Sequence, residues 1–231
     1  MTFVVAIDGP AGAGKSSVAK TVADRTGFAF VDTGAIYRTL ALVAEEKGVH
    51  SDHGAKLAQL TEDMNVSFKI MGDVNHVFLN DRDVSDAIRA PHMGAAASQV
   101  SRHGEVRDAL LALQRRLGSV PPGAVLEGRD IGSVVFPNAT LKFYLTASAS
   151  ERARRRTQEL NDKGIDADFE IILRDIQKRD QDDSNRSVAP LTQAKDAHLV
   201  DSSDKSKEEV IDIIVSAVKQ HQDYVSSVET R

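Results

Sequence analysis

Hydrophobic residues fall along this chain in short unbroken runs separated by longer stretches with helical spacing. Phe3-Val4-Val5-Ala6-Ile7 and Phe28-Ala29-Phe30-Val31 are apolar at successive positions, as parallel strands covered on both faces must be. The segment from Ser17 to about Arg25, with Gly27 at its end, has the spacing and stop signal of a connecting helix. Further apolar runs occur at Ala124-Val125-Leu126, Leu141-Lys142-Phe143-Tyr144-Leu145 and His198-Leu199-Val200. The pattern predicts an α/β protein with a five-stranded parallel sheet flanked by helices.

The long interval between the second and third of these strands exceeds a simple helical crossover. Within it, Val66-Ser67-Phe68-Lys69-Ile70 and His76-Val77-Phe78-Leu79 flank a loop expected over Met71 to Asn75, and Asp83-Val84-Ser85 supplies a short third strand. A single helix is expected from about Ala95 to Leu117, carrying Ser98, Arg102, Arg107, Arg115 and Arg116. Beyond the fourth strand, helices from Ser150 to Leu160 and from Phe169 to Arg179, broken at Gly164, form a charged pair of the kind that serves as a lid. A polar loop follows from Asp182 to Leu191. Ser206-Lys207-Glu208-Glu209 opens a C-terminal helix with a capping box, and the tail from Val225 is expected to fray. The predicted organisation is therefore core 1–60, an inserted β-rich subdomain 61–94, core 95–149, lid 150–180 and core 181–231.

Composition narrows the function. The net charge of −5 argues against a general nucleic-acid binder with a basic surface. No Cys is present, which removes disulfides and thiolate metal sites. No apolar run approaches the roughly 18 residues of a membrane span, and the N-terminus Met1-Thr2-Phe3-Val4 lacks the basic flank of a secretory signal. A cytoplasmic monomer acting on small molecules, with neither nucleic acid nor membrane as partner, is expected.

The chemistry concentrates in Gly9-Pro10-Ala11-Gly12-Ala13-Gly14-Lys15-Ser16, which fits G-x-x-x-x-G-K-[ST] directly after the first strand. The glycines let backbone N–H groups approach a phosphate, and the following helix, from Ser17, turns its positive end toward the loop. Lys15 would reach the β- and γ-phosphates of ATP, and the Ser16 hydroxyl would ligate Mg²⁺. Four strands end in polar clusters, at Asp8, Asp32, Glu127 and Asp201. Ligands of open α/β sheets bind at those strand ends, although an Asp there can equally cap the next helix. No Lys follows Asn or Thr, so the base-reading motif of a GTPase is missing. Arginines without an obvious nucleophile suit phosphoryl transfer, where positioning and charge neutralisation carry the catalysis.

Asp32-Thr33-Gly34-Ala35-Ile36-Tyr37-Arg38, Ala97-Ser98-Gln99-Val100, Glu127-Gly128-Arg129-Asp130-Ile131-Gly132, Val134-Val135-Phe136-Pro137, Arg179-Asp180 and Asn185-Arg186-Ser187-Val188-Ala189-Pro190-Leu191 complete the set. With the phosphate loop, they make the chain resemble the bacterial-type cytidylate kinases from first strand to last. The resemblance implies a P-loop fold with an inserted NMP-binding subdomain and a helical lid. It implies transfer from ATP to CMP or dCMP with Mg²⁺. By the same resemblance Arg38, Arg129 and Arg186 take the acceptor phosphate, and Lys15, Ser17, Arg152 and Arg156 the donor. Ser98, Arg107 and Asp130 read the cytosine, Arg179 and Asp183 hold the ribose, and Thr33 and Tyr37 line the acceptor pocket. Two other readings are a P-loop kinase for another acceptor, against which Ser98, Arg107 and Asp130 argue, and an RNA-binding ATPase, supported only by the basic run at 152–156.

Overall fold

The computed structural model describes residues 2–72, 74–162, 164–221 and 224. In chain order it has β1 (Phe3–Asp8), α1 (Lys15–Thr26), β2 (Ala29–Asp32), α2 (Thr33–Glu46) and α3 (Gly54–Leu60). There follow β3 (Val66–Met71), β4 (Val74–Leu79), β5 (Arg82–Asp83), α4 (Met93–Val100) and α5 (Gly104–Gly118). The remainder comprises β6 (Gly123–Gly128), β7 (Leu141–Thr146), α6 (Ala149–Asp162), α7 (Phe169–Ser184), β8 (His198–Asp201) and α8 (Lys207–Gln220). The chain divides into two compact units, one of Met1–Phe30 with Val120–Arg231 and the other of Val31–Ser119. The subdomain expected over 61–94 belongs to the second unit.

The expected five strands form one sheet in the order β2-β6-β1-β7-β8. Every residue of β1 is buried, because β1 pairs in parallel with β6 on one side, Val5 opposite Val125, and with β7 on the other, Ile7 opposite Phe143. β8 pairs in parallel with β7. Val18, Val22 and Ala23 of α1 and Val210, Ile214 and Val218 of α8 pack into the same apolar core as β1 and Phe143. Truncating a fully buried member such as Phe143 would cost about 3–5 kcal/mol. Gly27 ends α1 in a left-handed conformation with φ 69°, as its position predicts. The capping box is also present, with Ser206 Oγ accepting from Glu209 N at 3.2 Å and Glu209 Oε2 accepting from Ser206 N at 2.8 Å. The expected fraying from Val225 lies outside the described residues.

The second unit has its own core, built from Ile36 and Leu40 of α2, Leu57 of α3, Met93 of α4 and Leu110 of α5, with Ile88. Three expectations are corrected in this unit, two of them by its antiparallel sheet, β3-β4-β5. Pairing continues to Met71 opposite Val74, so the hairpin connection is shorter than the expected Met71–Asn75 loop, with Gly72 in the left-handed region at φ 59°. The third strand is Arg82–Asp83 rather than Asp83–Ser85, since Ser85 is drawn off into side-chain bonding: its Oγ accepts from Val77 N at 2.9 Å. The single helix expected over 95–117 is two. It breaks at Ser101–His103, where Ser101 Oγ donates to the Ser98 carbonyl at 3.0 Å and the His103 ring bonds the Ser51 carbonyl at 2.7 Å. Helices α2 and α3 were not anticipated, although Ile36, Leu40, Val43 and Ala44 are spaced as one helical face.

Candidate active site

In the first unit, β1 delivers Asp8 and the phosphate loop into α1. Gly9 has φ 152°, and a Cβ there would stand 1.9 Å from the Leu145 carbonyl oxygen, so only glycine fits. Gly14 takes a left-handed φ of 84° and caps α1 without a side chain. The helix begins at Lys15, earlier than the expected Ser17, which places the lysine in its first turn. Lys15 is buried and its Nζ donates to the Pro10 carbonyl at 2.8 Å, wrapping the loop on itself. Ser16 Oγ donates to Glu127 Oε1 at the end of β6. Ser17 Oγ donates to the Gly14 carbonyl at 3.0 Å.

The electrostatics of this cluster are tense. Burial, and then the neighbouring Arg129, lower the Lys15 amine to about 7, while Glu127 pulls the other way. Asp8 accepts from the Ile131 and Gly132 amides at 2.8 and 2.7 Å. Burial still raises its carboxyl to about 6, against the pull of those amides. A cationic side chain held in a desolvated site beside other cations is in the condition that an incoming phosphate relieves.

Arg129, just beyond β6, donates from Nε to Asp183 Oδ2 at 2.8 Å. Asp183 lies in the last turn of α7, not in the loop expected from Asp182, because α7 runs on to Ser184. Burial pushes the Asp183 carboxyl up, but Arg129, Arg186 and Arg179 outweigh it and hold the group below its usual range. Arg186 Nε donates to the Asp183 carbonyl at 3.3 Å. Asp130 is buried at the start of the single turn Ile131–Val135, yet its side chain makes no capping bond there. A capping role therefore does not account for it.

Arg152 is the one arginine of the basic run that reaches the loop. It is buried, donating from Nη1 to the Ala11 carbonyl at 2.9 Å and in a two-pronged pair to Asp180 at 3.0 and 2.6 Å. Arg156 instead stands half-exposed and paired with Glu159 at 2.7 Å. Arg154 and Arg155 share Glu151, whose carboxyl the Arg154 hydrogen bond in particular holds down at about 2. Arg155 also donates to the Ser202 carbonyl and hydroxyl at 2.6 and 3.1 Å. Beside them opens a groove of about 430 Å³ lined by Gly14, Ser17, Arg154, Arg155, Ser202 and Lys205 among others. Asp201, expected at the common site, spends its Oδ1 on the Ser203 amide and hydroxyl as a turn cap.

The second unit groups the remaining candidates. Asp32 caps α2 by accepting from Ala35 N and also accepts from Arg38 Nη2, both at 2.8 Å. Arg38 Nε is buried without a hydrogen-bond partner among the described residues. Thr33 is buried on the first turn. Tyr37 is buried with the Arg107 guanidinium carbon 5.4 Å from its ring centroid, and Arg107 Nη1 donates to the Ser101 carbonyl at 3.1 Å. Ser98 is half-buried on α4.

The family model described as cytidylate kinase matches residues 5–220. The chain belongs to the cytidylate kinase family. It is 45% identical over 219 residues to a cytidylate kinase of Shouchella clausii, covering 95% of this chain and 97% of that protein. A cytidylate kinase of Geobacter sulfurreducens is 46% identical over 220 residues, covering 95% and 94%. An uncharacterized protein of Eubacterium ventriosum, only 10% identical, superposes with a TM-score of 0.55 over 95% of this chain and 100% of its own, and shares the fold. As a member of the cytidylate kinase family the protein is a kinase.

Two groups in this cytidylate kinase family member escaped the list of candidates drawn from sequence. Asp8 and Glu127 end neighbouring strands in polar clusters, a signal that was visible but pointed equally to caps. Asp180 stands in the Arg179-Asp180 pair of the resemblance but carried no role of its own, and Glu151 carried no signal, since each is one carboxylate among many on a charged helix and only packing shows which arginine it grips.

Proposed function

We propose that this protein transfers the γ-phosphoryl group of ATP to CMP and dCMP in pyrimidine nucleotide metabolism, as a cytoplasmic monomer. The observation that carries the reading is the phosphate loop with Lys15 buried against it and Arg129 and Arg179 as its cationic neighbours. Two anionic substrates can react only where such cations offset their repulsion. Lys15 leaves the Pro10 carbonyl for the donor phosphates, and the loop amides and α1 N-terminus bind them alongside. The groove beside Ser17 and Arg155 has the size of a small-molecule site and takes the donor nucleoside.

On the acceptor side, Arg38, Arg129 and Arg186 hold the CMP phosphate through guanidinium forks. The buried, unpartnered Arg38 Nε supports this assignment. Asp130 and Ser98 accept from the cytosine amino group, Arg107 donates to the ring, Arg179 and Asp183 hold the ribose, and Thr33 and Tyr37 line the pocket. Arg152 shapes the loop beneath the donor, and Arg156 joins it when the lid closes.

The residues also fit Mg²⁺. Ser16 Oγ and Glu127 form a hard oxygen pair. That is the donor set of an ion held chiefly by substrate phosphates and water. When bound, Mg²⁺ neutralises charge on the donor phosphates. Glu127 accepts a hydrogen bond from Ser16 and so orients that hydroxyl. The protein's own residues bind, orient and exclude water.

A coupled ADP-release assay with CMP, dCMP, UMP and AMP tests the reading. Turnover with CMP and dCMP is expected to exceed the others; equal turnover with UMP, or none with CMP, would overturn it.

A further inference from the structure

Three consecutive residues of the phosphate loop are held in place, the first from within the loop and the next two from outside it. The Pro10 carbonyl accepts from Lys15, the Ala11 carbonyl accepts from Arg152, and Gly12 backs onto the Arg152 stem, where an added Cβ would meet Arg152 Cβ at 3.3 Å. Arg152 can do this because every part of its guanidinium is committed. Nε donates to the Ala147 carbonyl at 2.9 Å, and Nη1 and Nη2 grip both oxygens of Asp180. A two-pronged, charge-assisted pair fixes the plane of a guanidinium as no single contact does. The plane in turn fixes the Ala11 carbonyl.

A trans peptide carries its C=O and N–H on opposite sides. Anchoring the Ala11 carbonyl on Arg152 therefore turns the Gly12 N–H to the side away from Arg152. Loops of this kind bind phosphate through such amides. We propose that Asp180 is a positioning residue for the donor phosphates: through Arg152 it sets the orientation of the 11–12 peptide. The effect passes from α7 through α6 to the loop, and Asp180 need not touch a substrate. The proposal rests on the phosphoryl-transfer reading above.

Calorimetric titration with a non-hydrolysable ATP analogue, without acceptor, tests it on the full chain. Asp180→Asn keeps the shape and loses the charge, and should weaken binding at least about fivefold, the worth of a charge-assisted bond. KM for ATP should rise while KM for CMP stays within about twofold. Arg152→Lys should lose affinity likewise, and the double variant should be no weaker than Arg152→Lys alone, because the two act as a unit. If Asp180→Asn does not fold, Asp180→Glu keeps the charge but displaces the carboxylate, and the same loss is expected. Affinity within about twofold of wild type in the folded variant, or losses that multiply in the double variant, would overturn the proposal. A merely structural Asp180 would lower the unfolding temperature and leave the folded protein's affinity unchanged. Wild type that binds the analogue but does not phosphorylate CMP would sink the functional reading and leave this one standing.

Discussion

Arg129 Nε meets Asp183 Oδ2 at 2.8 Å, joining the end of β6 to the last turn of α7. The carboxylate side chain is 5% exposed and the guanidinium side chain 20%. Removing one partner of a fully buried pair costs about 3–5 kcal/mol. With Arg129 still partly hydrated, Asp183→Ala should cost roughly 2–3 kcal/mol, which lowers the melting temperature by about 5–10 °C in a protein of this size. Scanning calorimetry checks this. A change under about 2 °C would show that water replaces the carboxylate without loss.

Lys15→Ala should reduce turnover at least about a hundredfold, the usual cost of losing a donor aimed at developing charge, while circular dichroism reports a folded protein. Retention of more than about a tenth of wild-type turnover would remove Lys15 from the chemistry.

The same amine gives a pH dependence. In the unliganded protein Lys15 is lowered from 10.5 to about 7. An unfolded chain therefore binds more protons between those values, and stability of the unliganded protein should rise with pH from about 7 to 10.5. Bound phosphate restores the ammonium, so ATP binding should take up a proton at pH 8, where free phosphate is already ionised. Its affinity should fall as pH rises through that range. Calorimetry in buffers of differing ionisation enthalpy measures the uptake; Lys15→Met should abolish it, and an equal uptake in that variant would show that another group titrates.

Lid closure would appear in hydrogen exchange. Arg152 is already buried on the loop, whereas much of the helical surface of α6 and α7 beyond it is exposed. A bisubstrate analogue joining adenosine to cytidine through phosphates should slow exchange across 154–179. No slowing there would mean that the segment does not close.

Base reading separates Asp130 from its neighbour Arg129. Cytosine presents an amino donor where uracil presents an acceptor, and a buried charged group left unpaired costs upward of about 1–3 kcal/mol. Wild type should favour CMP over UMP at least about tenfold in kcat/KM. Asp130→Ala should lose most of that preference, whereas Arg129→Ala should depress both acceptors alike. A CMP/UMP ratio within about twofold of wild type in Asp130→Ala would take the base from this residue.

What the sequence determined by itself is local. The runs at Phe3–Ile7 and Leu141–Leu145 are strands because continuous apolar surface must be covered on both faces, and the glycines of the loop follow from backbone conformations that a Cβ forbids. Gly27 and Ser206 mark helix ends by capping alone. Tertiary structure decided whatever depends on partners distant in sequence. The helix expected over 95–117 breaks where the His103 ring reaches the Ser51 carbonyl, 52 positions away, which periodicity does not register. Asp183 became a helical residue gripping Arg129, 54 positions away, and Asp201 became a turn cap although it ends a strand as Asp8 does. The basic run at 152–156 shows the limit most plainly: four arginines of one chemical type were divided by packing into one that holds the phosphate loop, two that share Glu151, and one paired with Glu159 on an exposed face. Charge and spacing name the candidates, but burial and geometry assign them, because the energy of an ion pair depends on where its partner lies and how much water lies between.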